Sequence, residues 1–367
     1  MGHHSINHIR IKDIAEKAGC SIGTVDRVLH NRGRVSGDLQ RRILGIMDEL
    51  GYRPNVNARV LASNRTLNLG ILLPSFRKGE YWELPNQGIN DAMEHFEGQG
   101  YSIETVTRSF STAERFYESG LKLIQFGVDG IITMPAAYKE SVRLVRTYFQ
   151  NNIPFILIDS DIAGLPSLSF IGKDPVQSGL TAAGMTHQVS RHIKGCKIVW
   201  IINLPKNLEQ MYPLMARESG YMKFFVERGI RNQYTMRTFD IEDPGSQKAH
   251  NAIMEEMFRE ERPHAIYVTG SRVHKVARSI GNLGLDPRPM VIGHDLIDAN
   301  VREVNAGTID FLIDEEAHRQ GYLAVETMVR SIIWKERIEP KQWMNLMIYT
   351  RENLSSEGAR PKSVRHI

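Results

Sequence analysis

Residues 11–29 read IKDIAEKAGCSIGTVDRVL, and their spacing decides the first domain. Ile14, Ala15 and Ala18 fall on one face of a short helix. Val25, Val28 and Leu29 fall on one face of a second, at i, i+3 and i+4. Gly19 suits the left-handed position that ends a helix, and Ser21 is placed to cap the next. Two short helices joined by a Gly-containing turn form a helix-turn-helix, whose second helix enters the DNA major groove by its N-terminal end. A third helix follows over residues 36–50, with Ser36 at its start and Leu39, Ile43, Ile46, Met47 and Leu50 as its apolar stripe.

Charge supports a polyanion-binding head. The 367 residues carry a net charge of +4, but residues 1–65 alone carry +5 and the remainder −1. A positive excess confined to one end suits a DNA-binding module on a near-neutral body. The 41% apolar content fits a globular protein, and no run approaches the about 20 apolar residues that cross a bilayer. The N-terminus, MGHHSINHIR, lacks the apolar segment of a secretory signal. The two cysteines, Cys20 and Cys196, are far apart in sequence and suit a reducing cytoplasm better than a disulfide framework. No Walker loop, GxGxxG, GxSxG or HExxH occurs, so no enzyme is expected, and neither a cofactor nor a metal.

From residue 67 onward short apolar strands alternate with amphipathic helices. LGILL, SIETV, GIITM, FILID, IVWII, AIYVT and MVIGHD are the clearest strands. That alternation predicts parallel sheets covered by helices on both faces.

The stretch DIAEKAGCSIGTVDRVLHNRGRVS, then ELGYRPN, then ARVLA, resembles without gaps the DNA-binding head and hinge of the lac repressor / gal repressor family. The rest of the chain fits that family more loosely. The resemblance implies an all-α helix-turn-helix head on an α/β body. The body would be two doubly wound parallel-sheet subdomains of the periplasmic sugar-binding type, joined by three crossovers. The expected boundaries are a head over 6–53, a hinge helix and linker over 54–66, an effector-binding domain over 67–354 and a tail over 355–367. Within the body, an N-subdomain is expected at about 67–161 and 313–337, and a C-subdomain at about 162–312 and 338–354. The crossings thus fall near Asp161, Leu312 and Ile338, and the strand LMIYT (346–350) returns to the C-subdomain. The chain shows no leucine heptad after that strand, which favours a homodimer.

The family also implies residue roles. Ser21, Ile22, Gly23, Thr24, Asp26, Arg27, Asn31 and Ser36 would face DNA, with Asn55, Ala58 and Leu61 contributed by the hinge. Arg27 suits the bidentate contact to guanine. Thr24, Asn31 and Ser36 suit phosphates, which fix register without reading sequence. Asp26 stands where the family usually has serine; it either orients Arg27 or accepts from a cytosine amine, or is a surface carboxylate held by Arg27. Leu61 matches the family's minor-groove wedge, of a type that kinks the duplex. In the body, Tyr81, Trp82, Asp159, Arg217, Gly270, Asp295 and Phe311 would surround the effector. Gly270 and Ser271 replace an Asn-Asp pair of the family, and Phe311 replaces a further polar ligand residue. Lys173, Arg272, His274 and His294 would add positive charge if they faced the cleft, and are otherwise solvated. The expected partners are a near-palindromic double-stranded operator and a monosaccharide or sugar derivative. Two other readings stay open here: a transport-type sugar receptor, and a regulator with a non-sugar corepressor.

Overall fold

A computed structural model describes residues 10–29, 35–50, 66–162, 164, 167–205 and 211–354. The expected DNA contacts Asn31, Asn55, Ala58 and Leu61, the hinge over 54–65 and the tail over 355–367 lie outside the described residues.

The head is three helices, α1 (Ile11–Ala18), α2 (Ile22–Leu29) and α3 (Gly37–Glu49). Gly19 ends α1 at φ 66° and ψ 38°, the left-handed geometry expected of it. Ser21 Oγ accepts from the Thr24 N–H at 3.1 Å and so caps α2. Ile14, Ala15, Ala18, Val25, Val28, Ile43 and Ile46 close a core of their own.

The body begins with β1 (Leu67–Pro74), α4 (Glu83–Gly98), β2 (Ile103–Phe110), α5 (Ala113–Gln125), β3 (Gly130–Thr133), α6 (Tyr138–Gln150), β4 (Phe155–Asp159) and β5 (Ser169–Gly172). It continues with α7 (Pro175–Ser190), β6 (Lys197–Asn203), α8 (Met211–Glu227), β7 (Tyr234–Asp240), α9 (Gln247–Glu260), β8 (Ala265–Val268), α10 (Val273–Leu283), β9 (Met290–His294), α11 (Asp298–Asn305) and β10 (Phe311–Asp314). It ends with α12 (Ala317–Ile332), β11 (Lys341–Trp343) and β12 (Met347–Tyr349). Two six-stranded sheets result, in the orders β11-β5-β4-β3-β1-β2 and β12-β10-β9-β8-β6-β7. Every pairing is parallel except β10 with β12. The two sheets share one strand order: β1 to β5 match β6 to β10 strand for strand, and β11 takes the place of β12 but runs in the opposite sense, parallel to its neighbour.

Sheet pairing moves the expected crossings. Strand β5 pairs with β4 through Ile158 and Ile171, so the chain leaves the first sheet after Gly172 and not near Asp161. Strand β10 stays with β9 as far as Ile313 opposite His294, which puts the second crossing just after Asp314 rather than at Leu312. Strand β11 pairs with β5, so the third crossing falls between Trp343 and Met347, later than Ile338. Strands β5 and β11 have only four and three residues, too few for apolar alternation to register.

Each of the first two crossings is followed by a helix that locks onto the opening helix of the half it enters. Helix α7 packs on α8, and α12 packs back on α4. Both contacts are backbone-close. A Cβ at Gly179 would lie 1.9 Å from the Arg217 carbonyl oxygen, and one at Gly220 would lie 2.0 Å from that of Val176. In the other pair, Gly88 faces the His318 carbonyl and Gly321 that of Pro85 at 1.8 and 2.0 Å. A methyl group there has nowhere to go but between two helix backbones. Gly179→Ala should therefore lose about 1–3 kcal/mol despite its better helix propensity. Gly98→Ala, whose Cβ meets nothing within 4 Å, should lose nothing. Thermal denaturation of the two variants beside the parent decides it; equal melting temperatures would refute the close-packing reading.

Candidate nucleic-acid interface and ligand cleft

The apolar stripe of α2 is spent on the head core, which turns the opposite side outward. Ser21, Ile22, Gly23 and Arg27 are exposed, with Ile22 at 52% accessibility, and Thr24 and Asp26 are half-buried. An isoleucine that open, in a helix with buried valines at Val25 and Val28, presents an apolar contact to a partner surface. Arg27 forms no ion pair among the described residues, so its guanidinium stands clear for a base edge or phosphate. Ser36 sits at the N-cap of α3, but its side chain makes no capping bond and is exposed. Its hydroxyl is available to an incoming phosphate.

The second site lies between the two sheets, at the carboxyl ends of their strands, where open α/β sheets place ligands. It is a cleft of about 500 Å³. Tyr81, Trp82, Asp159, Arg217, Gly270 and Asp295 all line it, as expected from the sequence. Phe311 does not. It is a partly buried side chain packed against the core of the second sheet, because β10 begins with it and turns it towards that core.

Asp159 and Asp295 occupy equivalent places, at the end of β4 and just after β9. Both adopt left-handed backbone conformations, φ 66° and 71°, which few residues other than glycine tolerate. The surroundings hold them there. The Asp159 N–H donates to Gln320 Oε1 at 3.0 Å, and the Asp295 N–H donates to the Ile313 carbonyl at 3.0 Å. Asn300 Nδ2 donates to the carbonyls of His294 and Asp295 at 2.8 and 2.9 Å. Strained backbone kept by this many bonds aims both carboxyl groups into the space between the subdomains.

Beneath them is a dry ionic cluster that sequence reasoning missed. Lys173 is 3% exposed and is bound to Asp159, with Glu315 Oε2 3.1 Å away. It lines the cleft, one of the two places the sequence reading allowed, and its charge there is taken up by the two carboxylates. Arg217 grips Glu315 through Nε at 3.2 Å and Nη2 at 2.5 Å, and donates from Nη1 to the Thr269 carbonyl at 2.8 Å. Ser178 donates to Glu315 Oε1 at 2.7 Å. The Tyr81 hydroxyl donates to Asp159 Oδ1 at 2.6 Å, and Ser160 donates to Asp159 Oδ2 at 2.9 Å. Tyr81 and Trp82 stand edge to face, their centroids 5.1 Å apart.

Burial opposes every charge here, and partners decide which survive. Burial would raise the Glu315 pKa, but Arg217 and then Lys173 hold it well below the usual range. Burial would lower that of Lys173, but Asp159 and Glu315 raise it. His294, fully buried, is pushed down to about 4 by desolvation and then by Arg217, so it is neutral. Its Nε2 lies 2.9 Å from the Tyr267 hydroxyl. Asp295 is the exception. Burial and then Glu315 raise its pKa well above the usual range against the pull of Arg217 and Lys173. Its Oδ1 is buried and has no hydrogen-bond partner among the described residues, although the residue lines the cleft. Lys173 follows a short strand as Glu315 follows β10, and each position is the counterpart of the other.

Comparison with known proteins agrees with this anatomy. Residues 69–336 match the periplasmic binding protein domain, and residues 10–55 match the bacterial regulatory proteins of the lacI family. The chain belongs to the periplasmic binding protein domain family over most of its length and carries a lacI-family helix-turn-helix domain at its head. It is 29% identical over 217 residues to the HTH-type transcriptional regulator MalR of Streptococcus pneumoniae, a match covering 58% of this chain and 61% of that one. It is 26% identical over 275 residues to catabolite control protein A of Priestia megaterium, covering 71% and 74%. The fold matches a Bacteroides fragilis protein assigned as a LacI transcriptional regulator at a TM-score of 0.70, with 22% identity over 79% of this chain and 98% of the other. It also matches a Burkholderia graminis solute-binding protein crystallised with D-arabinose, at a TM-score of 0.68 and 17% identity, over 79% and 97%. No helix among the described residues is long and apolar enough to cross a membrane.

Because Glu315 answers two buried cations, Glu315→Gln leaves them facing Asp159 alone. The expected loss is about 3–5 kcal/mol at neutral pH. The folded pKa of Glu315 is depressed, so its contribution is full above its unfolded value, near 4.5, and lost as pH falls through the folded one. Chemical denaturation of wild type and variant should therefore differ most at neutral pH and converge in acid. A constant difference across pH would show that Glu315 acts by packing and not by charge.

Proposed function

We propose that the protein is a sequence-specific DNA-binding transcriptional regulator, a repressor, controlled by a small sugar or sugar derivative in the cleft between its subdomains. The observation that carries the reading is the unpartnered, buried Oδ1 of Asp295, a residue that lines the cleft, on a chain that also bears a helix-turn-helix. A carboxylate with an open acceptor suits a polyol, whose hydroxyl donors would satisfy it, and Trp82 and Tyr81 suit the apolar face of a sugar ring. The names of the relatives, MalR and catabolite control protein A among them, fit such a regulator.

On this proposal the protein is a cytoplasmic homodimer on a near-palindromic operator, each α2 in one half-site. Ser21, Thr24 and Ser36 meet phosphates, and Ile22 and Arg27 meet bases. Gly23 offers no side chain, so Arg27 carries most of the direct readout. A ligand that prefers one relative orientation of the subdomains shifts DNA affinity by its differential affinity for the two states, and by no more. A transport-type receptor would have no use for the head. No cofactor and no catalytic step enters.

Two measurements test the two halves. An operator selected from random sequence should bind with a steep salt dependence. Arg27→Ala should weaken binding by about 1–3 kcal/mol and relax base preference at one position per half-site. Fluorescence anisotropy showing equal affinity of wild type and variant would remove α2 from the recognition role.

For the cleft, Asp295→Asn should have two opposite effects. The folded state resists ionisation of this acid while the unfolded chain ionises freely, so the wild-type group costs stability increasingly as pH rises above its unfolded value near 4. The amide removes that cost, so the ligand-free variant should melt a few degrees higher at pH 7 and no higher near pH 4. Its effector affinity, read by calorimetry, should fall at least tenfold. A variant that keeps wild-type affinity would place the effector elsewhere.

A further inference from the structure

A second recess, of about 300 Å³, opens at the mouth of the cleft. Tyr81, Trp82, Ser271 and Arg272 line both spaces, so the two are continuous. Its chemistry is the reverse of the interior. One lip, the loop after β1, brings Arg77 and Lys78. The other, the N-terminal end of α10, brings Arg272 and Lys275. The carboxylate facing them from the second lip is Asp243, 2.6 Å from Lys275 Nζ and 3.9 Å from Arg272 Nη1. Glu80 adds one more negative charge, with Oε2 accepting from the Arg77 backbone N–H. Arg77 and Lys78 side chains form no ion pair among the described residues. His274 is neutral, its pKa driven down to about 4 chiefly by burial. Four cations against two carboxylates leave this recess at +2.

The interior cannot take an anion. Lys173 and Arg217 are both committed to Asp159 and Glu315, so neither is free to meet an anion there, and the atom left without a partner is Asp295 Oδ1. Arg272, with a side chain only 17% exposed, stands between the two spaces, and its one carboxylate contact is at 3.9 Å. The cleft is thus polarised from an acceptor-rich floor to a basic mouth.

We propose that the effector is an acidic saccharide, lying with hydroxyl groups at Asp295 and an anionic substituent, a carboxylate or a phosphate ester, in the recess between Arg272 and Arg77–Lys78. The proposal rests on the cleft being the effector site. The anion would join lips that belong to different subdomains, so charge on the ligand contributes directly to their relative orientation. Because the contacts lie at a solvated rim, salt should weaken them.

The test is calorimetry on the full chain with matched sets: D-glucose, D-glucuronate and D-glucose 6-phosphate, and the same three forms of D-galactose and D-mannose, at 50 and 500 mM salt. In at least one set an acidic member should bind at least tenfold more tightly than its neutral parent, and that advantage should shrink at high salt. Uronate or phosphate, whichever carries the advantage, names the anion. Arg77→Gln with Lys78→Gln should reduce the advantage below threefold; both side chains are exposed, so an unchanged melting temperature certifies the fold. Neutral sugars binding as well as their acids would overturn the inference and leave the effector cleft standing. A tenfold preference that survives the double substitution would move the anion out of the recess. No binding by any member would overturn the acidic-saccharide proposal together with the sugar reading of the cleft.

Discussion

The contact on which the body depends is the buried pairing of Glu315 with Arg217 and Lys173, continued by Lys173 to Asp159. Its members come from four separate places. Asp159 ends β4, Lys173 follows β5 at the first crossing, Arg217 is on α8, and Glu315 follows β10 at the second crossing. Removing that many charges from water costs several kcal/mol per ion. Well-packed apolar side chains would usually hold two subdomains together as well. What they would not supply is a polar floor with fixed directions. Here each carboxylate oxygen that is not offered to a ligand is taken by a lysine, an arginine, a serine or a tyrosine. The cluster leaves the carboxyl group of Asp295, whose Oδ1 is buried without a hydrogen-bond partner among the described residues, as the unsaturated polar group of the floor.

That asymmetry is more telling because the two halves are built alike. Both sheets have the same strand order, and both carry a left-handed aspartate after the fourth strand of the repeat. In both, the residue after the fifth strand is charged, lysine in one half and glutamate in the other. One aspartate is saturated by Lys173, Tyr81 and Ser160. The other has its pKa raised well above the usual range, first by burial and then by Glu315. A repeat that closes one copy of a site and leaves the other open has a direction, and the ligand's polar groups must follow it.

The parts that were legible in sequence are those whose signal is local. The head was readable because Ile14, Ala15, Ala18, Val25 and Val28 keep helical spacing, Gly19 needs its left-handed turn and Ser21 its cap. The long central strands were readable as apolar runs. Strands β5 and β11 were not, since three or four residues carry no period, and β7, with alternating exposed positions on an edge, has too little apolar character. Missing β5 misplaced the first crossing and left Lys173 looking like a loop lysine. Glu315 was passed over for the same reason, because its meaning comes from Arg217, 98 residues away. Phe311 was assigned by family register, and the side chain went instead to the core of its own sheet. Pairwise burial of charges over such separations leaves no pattern in one sequence.

The head and cleft also constrain each other on the proposed function. The exposed face of α2 offers little direct readout, since Gly23 has no side chain and Thr24 and Asp26 are half-buried. Phosphate contacts fix position and carry no sequence information. A single head of this kind binds DNA weakly, and useful affinity comes from two heads held at the spacing of their half-sites, about 34 Å or a multiple of it. A binding site that depends on spacing is sensitive to anything that changes the relative placement of two bodies. The cleft lies between subdomains joined by three strands of chain, and each subdomain has one backbone-close helix crossing, α4 with α12 in the first and α7 with α8 in the second. On the proposed function the angle between the halves is the coordinate that a ligand shifts. A ligand spanning from Asp295 to the opposite lip acts on that coordinate, and it need supply only the free energy by which one angle is preferred over the other.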